Sequence, residues 1–138
     1  MEGLGRVFDI ISPLSDTTYV DMSKCAAVTF HCYLAAGDTY TLSEATSAAG
    51  AGAQVLTTIT RFHQQATPGA AWALVTQAAA STMITTSDFD VCVLTISAAE
   101  LSDGFTFLKL PSTSTGVVTA ILHDLLVQRK PANLAALV

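Results

Sequence analysis

Charge is the scarcest property of this sequence. Only 12% of its 138 residues are Asp, Glu, Lys or Arg, while 51% are apolar; an ordinary soluble domain carries ~25% charged residues. Much of the surface must therefore be neutral, and a neutral surface is suited to contact with a partner. What charge exists leans acidic, with eleven carboxylates against six basic side chains and a net charge of −5. That balance repels a phosphate backbone rather than releasing its counterions, so nucleic acid is not an expected ligand.

Long apolar runs are missing as well. None approaches the ~18 residues that span a bilayer, and no membrane partner is expected. The opening "MEGLGRVFDI" has no basic region followed by an apolar stretch and a small-residue cleavage site, so synthesis in a cytoplasm is the expectation. Cysteine is limited to Cys25, Cys32 and Cys92, an odd number in apolar, strand-like contexts. A disulfide-framed secreted domain carries more, evenly paired cysteines, and these three are expected to be buried free thiols.

The signatures of chemistry are absent too. His31, His63 and His123 form no close pair with each other or with a cysteine of the C-x-x-C or H-x-x-x-H kind, and adjacent His31 and Cys32 on a strand point to opposite faces. No metal site is expected. "GAGA" lies between strand-like runs without the basic residue and helix start that phosphate capture uses, and reads as a hairpin loop; no cofactor is expected. A cysteine nucleophile would need a strained elbow to present its thiol, and Cys92 reads instead as a small core residue. Glu100 and Asp103 stand three apart in "ELSDGFTFLKL", but acid–base work needs a cleft and contrasting environments. Ser97, Ser102 and Asp103 are turn formers, so the pair reads as a corner that solvates and caps the chain. No enzyme is expected.

What the sequence does contain is alternation, the period of two that marks a strand with one buried face. In "CAAVTFHCYLAA", Val28, Phe30, Cys32 and Leu34 share one face and Thr29, His31 and Tyr33 the other. Gly37-Asp38 then marks a turn into "TYTLSEAT", with Tyr40 and Leu42 alternating with threonines, and the two runs are expected to form a hairpin. "QVLTTITRF" predicts a further strand with Val55 and Ile59 against Leu56 and Phe62. After the Pro68-Gly69 turn, "AWALVTQAAASTMITT" is expected to be extended, with Trp72 a core anchor or an oligomer contact. "VCVLTISA" sets Cys92, Leu94 and Ile96 against Val91, Val93 and Thr95. "AAELSDG" predicts a single helical turn or tight corner, and "FTFLKL" a strand whose Phe105 and Phe107 face the core. Pro111 ends that strand, and "VVTAILHDLLVQ" is the last.

Short strands separated by Gly, Pro, Ser and Asp turns, with no repeat and no linker, predict an all-β fold. The expected form is one domain over residues 1–138, a β-sandwich or jelly-roll-like barrel of about seven to eight antiparallel strands. Threonine hydroxyls hydrate the outward positions, and few Lys or Pro residues guard the edges, so pairing with other chains is a physical expectation.

The segments "YVDMSKCAAVTFHCYLAAG", "TLSEATSAAGAGAQVLT" and "VCVLTISAAELSDGFTFLKL", with a last strand ending in "RKP", resemble in order and pattern small structural proteins of tailed phages. The resemblance covers about residues 18–131, and Tyr19, Met22, Phe30, Leu42, Glu100, Asp103, Gly104, Phe105 and Leu110 carry it. It implies a capsid decoration or cement protein: a β-sandwich that oligomerises, often as a trimer, on the outer shell of a virion assembled in the host cytoplasm, with the major capsid protein as partner. Those residues read as architectural. Subunit or capsid contacts are expected from the terminal segments 1–14 and 131–138 and from Trp72, the candidates being Leu4, Val7, Phe8, Ile10, Ile11, Trp72, Leu134 and Leu137. A head–tail connector or tail component would use the same all-β economy. A carbohydrate-binding module would need exposed aromatics at sheet-face spacing, which the few tyrosines and single tryptophan are not expected to provide.

Overall fold

The period-two runs do become strands. A computed structural model describes residues 7–34 and 36–126, and of Val7 and Phe8 it describes the backbone alone. The described chain is all-β, with twelve strands and one 3₁₀ turn: β1 (Val7–Leu14), β2 (Val20–Asp21), β3 (Cys25–Tyr33), β4 (Thr39–Thr41), β5 (Ser43–Ala45), β6 (Gln54–Val55), β7 (Ile59–Gln65), β8 (Trp72–Ala80), β9 (Thr82–Ile84), β10 (Val91–Ser97), η1 (Ala98–Glu100), β11 (Phe107–Lys109) and β12 (Val117–Leu125). The main sheet has six strands in the order β1-β12-β3-β10-β7-β8; a second has β2-β11-β5-β6; β4 and β9 form a short ribbon. Every pairing is antiparallel.

Three neighbouring strands of the main sheet, β12, β3 and β10, build its inner face by alternation. From β3, Val28, Phe30 and Cys32 point inward; from β10, Cys92, Leu94 and Ile96; from β12, Val118, Ala120 and Leu122. Register sets Phe30 opposite both Leu94 and Ala120, so each large side chain meets a neighbour at the cross-strand distance of ~5 Å that lets the pair pack. Val20, Met83 and Leu108 from the other strands, with Leu42 and Leu110 at strand ends, close the same core from the opposite side, which makes a sandwich of the described strands. All three cysteines are buried free thiols, with Cys32 inside and its neighbour His31 on the outer face.

Several expectations are corrected. The two runs around Gly37-Asp38 do not pair: β3 lies between β12 and β10, and β4 pairs with β9. "QVLTTITRF" breaks at Leu56–Thr58 into β6 and β7, with Val55 exposed and Leu56, Ile59 and Phe62 all buried. A register irregularity between Ile59 and Arg61 lets Ile59 and Phe62, three apart, share the inner face. Such breaks raise the strand number, because one continuous run in sequence serves two sheets. In "FTFLKL" the core residues are Leu108 and Leu110, while Phe105 and Phe107 are only half-buried. The predicted turns do form. Ala70 N–H bonds to Thr67 O at 3.0 Å around Pro68-Gly69, with Gly69 at φ 92, the positive φ that a type II turn demands of its third residue.

The "ELSDG" corner is built as a cap. Ser97 Oγ accepts from Ala99 N–H at 3.3 Å, and the Glu100 carboxylate accepts from Ser97 N–H at 3.1 Å, closing a capping box on η1. Glu100 also accepts from the Thr58 hydroxyl. Glu100 is thereby committed to holding the corner to the start of β7.

Candidate interaction face

The outer face of the main sheet, opposite the core, collects most of the exposed large apolar side chains. Register arranges it in rows across the strands. One row runs Val117, Tyr33, Val91, Gln65, Trp72; the next runs Thr119, His31, Val93, His63, Leu74; a third runs Ile10, Ile121, Thr29, Thr95. Ile10, Tyr33, Val117, Trp72 and Leu74 are between 41% and 57% exposed. Between them lie hydroxyls and imidazoles, and Arg61 is the basic residue that β7 adds to the same face. His123 belongs to this face too, so all three histidines of the chain share it.

A polar chain runs through the middle of the face. His123 Nδ1 lies 2.7 Å from Asp124 Oδ2, His123 Nε2 lies 2.9 Å from Thr29 Oγ1, and Thr29 Oγ1 lies 2.8 Å from Thr95 Oγ1. Neighbouring residues of a strand normally point to opposite faces. Asp124 reaches its neighbour's ring because its backbone is left-handed, φ 59, a conformation that Asp tolerates better than most residues. With Nδ1–H donating to Asp124, Nε2 accepts from the Thr29 hydroxyl, and Thr29 in turn accepts from Thr95. Buried Thr29 and His123 are thus fully engaged, and the exposed Thr95 hydroxyl keeps its lone pairs toward solvent.

Thr95 opens onto a hollow. β10 pairs with β7 only from Val91 to Val93, whereas its pairing with β3 continues to Ser97. Where β7 leaves β10, two adjoining hollows of about 270 and 510 Å³ share Arg61, Thr95 and Glu100 in their walls. The Thr58, Thr60, Thr95 and Ser97 hydroxyls and the Arg61 guanidinium, in walls that also include Leu94, Val93 and His63, offer hydrogen bonds to a neighbouring surface, while Glu100 is already engaged by Ser97 and Thr58. Among the described residues, no group of three or more His, Cys, Asp or Glu is placed to hold a metal ion.

Two buried carboxylates stiffen the frame behind this face. Glu44 Oε1 accepts from Gln54 Nε2 at 2.7 Å and Glu44 Oε2 from Ser102 N–H at 2.9 Å. Burial raises its pKa, but the hydrogen bonds from Ser102 and Gln54 together outweigh burial and hold it below the usual glutamate value. Asp38 accepts from Thr39 N–H at 2.7 Å, from Thr113 Oγ1 at 2.9 Å and from the Ser112 hydroxyl, pinning the loop that leads into β12. The thiols are quiet: burial, with Asp21 nearby, pushes Cys25 up to about 11, and burial beside Cys92 pushes Cys32 well above its ordinary value.

Of the contact residues expected from the sequence, Trp72 and Ile10 are exposed on this face. Ile11 turns inward and packs against the core. Val7 and Phe8 have their backbones in β1, and Leu4, Leu134 and Leu137 lie outside the described residues. Glu100 and Asp103 do not come together as a catalytic pair: Glu100 caps η1, and Asp103 is exposed. Sequence reasoning missed Glu44, although the alternation Tyr40, Leu42, Glu44 already places a carboxylate in step with two core residues. It also missed Tyr33, Leu74 and Val117, whose exposure depends on which strand lies beside them. The two exposed aromatics Tyr33 and Trp72 do share a row, with buried Val91 and Gln65 between them. Compared with known proteins, the chain finds no counterpart: no family model, no curated protein and no solved structure matches it.

Proposed function

We propose that this chain is a non-enzymatic structural protein of a tailed-phage particle, which binds the outer capsid shell as an oligomer and stabilises it. The observation that carries the reading is the outer face of the six-stranded sheet, where five exposed apolar side chains stand among hydroxyls and imidazoles, with Arg61 the basic side chain between them. Such a face loses little on desolvation when it meets a protein surface, because few charges have to leave water. The capped corner and the buried carboxylates support the reading, since they spend the polar groups on rigidity. The resemblance of the "ELSDGFTFLKL" segment and its neighbours to phage head proteins supplies the particle and the major capsid protein as partner. Cementing is mechanical: each copy covers shell surface, and the symmetry of the shell repeats a modest contact many times.

The test is rebinding. Purified chain is added to shells that lack it, and bound mass and shell stability to heat are measured with the parent chain and with Tyr33→Lys and Val117→Lys variants. Saturable binding that raises shell stability and falls in both variants is the expected result. Absence of binding, or a label on this chain found at the tail in electron micrographs, overturns the shell assignment.

The Tyr33–Trp72 row favours a second reading, a carbohydrate-binding face. Across three strand spacings the rings stand ~14 Å apart, with Val91 and Gln65 as the floor. Binding on a glycan array that is lost in Trp72→Ala and retained in Val117→Lys would select it.

A further inference from the structure

The four edges of the two larger sheets are not alike. In the second sheet, the edge strands β2 and β6 have two residues each, too short to template a partner. In the main sheet, β1 is guarded. The Asp9 carboxylate folds back to accept the Ile10 N–H at 2.8 Å, and Pro13 removes a donor. β8 has no such guard. It is nine residues long, "WALVTQAAA", with neither charge nor proline, and it lies within residues 62–87, where there is no Asp, Glu, Lys or Arg at all. Among the described residues, the backbone of Trp72–Thr76 pairs with β7 and with nothing else. Every second residue of that segment therefore turns an N–H and a C=O outward. A long, bare, apolar edge of this kind is a template for another strand.

From this contrast we infer that β8 pairs edge to edge with the β8 of a second copy of this chain, antiparallel and centred on Leu74, joining two six-stranded sheets into one. A second copy is the fitting occupant because the segment complements itself. Centring on Leu74 uses the whole regular stretch and sets Trp72 opposite Thr76 and Ala73 opposite Val75, large against small on both faces, with Leu74 against its own counterpart. No like charges meet, although each molecule carries −5. Beyond Thr76 the regular edge ends. Residues 77–79 stand opposite Thr60 alone, and Gln77 Nε2 turns back to donate to Ile59 O at 3.1 Å and Thr82 O at 2.9 Å. The contact is two-fold, so it builds pairs, in place of the trimer that the phage resemblance implies. It deepens the oligomeric part of the proposed function and rests on that part alone.

A single cysteine tests the register. In the centred pair, the two Cα atoms at position 74 stand ~4.5–5.5 Å apart, within the range a disulfide bridges, and the native thiols are buried. Leu74→Cys, oxidised by a glutathione redox pair, is expected to give a covalent dimer. Val55→Cys, exposed on the short β6, is expected to give far less. Leu74→Lys sets like charges face to face and is expected to weaken the dimer by about tenfold or more, read as mass in solution, with the melting transition of the chain retained. If Leu74→Cys crosslinks no faster than Val55→Cys, or if Leu74→Lys leaves the dimer intact, edge pairing is wrong. Rebinding to shells is scored separately. Crosslinking without shell binding upholds the edge pair and defeats the capsid reading; shell binding without crosslinking defeats the edge pair alone.

Discussion

Ser102 N–H donates to the Glu44 carboxylate at 2.9 Å across 58 residues of sequence, joining the "ELSDG" corner to β5. The carboxylate is fully buried and ionised, held so by Ser102 and by Gln54. Glu44→Gln keeps the shape but turns an amide toward a donor, and is expected to destabilise the chain by about 1–3 kcal/mol in urea unfolding. The same bond gives a pH dependence. The folded pKa lies below the unfolded one, so the contribution is fully present above the ordinary glutamate value of ~4.3 and is lost as pH falls through the lowered folded value. Parent and Glu44→Gln stabilities should therefore converge in acid.

Thr29 bridges His123 and Thr95. Thr29→Val removes the hydroxyl and leaves the buried His123 Nε2 without its partner, an expected loss of about 1–3 kcal/mol. A double-mutant cycle with His123→Phe should recover part of the loss, because replacing both members removes the orphan. Equal, additive losses would show that the bond contributes nothing.

Gly116 is closed in on one side. A Cβ there would stand 2.6 Å from Asp38 Oδ2, 2.7 Å from the Tyr40 hydroxyl and 2.9 Å from Ser112 Oγ. Gly116→Ala must push the loop off the buried carboxylate, and a loss of about 1–3 kcal/mol is expected. Thermal melting against the parent chain checks it.

The thiols should resist modification while the chain is folded. Cys25 and Cys32 are both buried with raised pKa values, so few are thiolates at pH 8. A colourimetric thiol reagent is expected to titrate almost none of the three in the native chain and all three in denaturant. Fast native labelling would mean that β3 or β10 opens readily.

Strand faces were legible in the sequence and strand neighbours were not. Val28, Phe30 and Cys32 announce their inward face by period alone, and so do Cys92, Leu94 and Ile96. Nothing in that period says that β3 belongs between β10 and β12, so the turn at Gly37-Asp38 suggested a local hairpin where the fold makes two long-range pairs. Phe105 and Phe107 misled for a related reason. Parity grouped them correctly against Leu108 and Leu110, but aromatic size pointed to the wrong group as the inner one. The interaction face was legible only in part. Trp72 and Ile10 stood out as apolar residues needing a partner, whereas Tyr33, Leu74 and Val117 became exposed neighbours only once register aligned them. Glu44 was written into the alternation after Tyr40 and Leu42, and its meaning lay in Ser102, far along the chain.

The imidazoles of His31, His63 and His123 all lie on the outer face of the main sheet, His31 and His63 in one row on either side of Val93. The chain has no others. That face consequently carries its own magnetic-resonance reporters: three imidazoles, each with two ring C–H protons, sample its centre and both flanks without any introduced label. Whatever covers the face will shift or broaden them, while the opposite sheet stays silent.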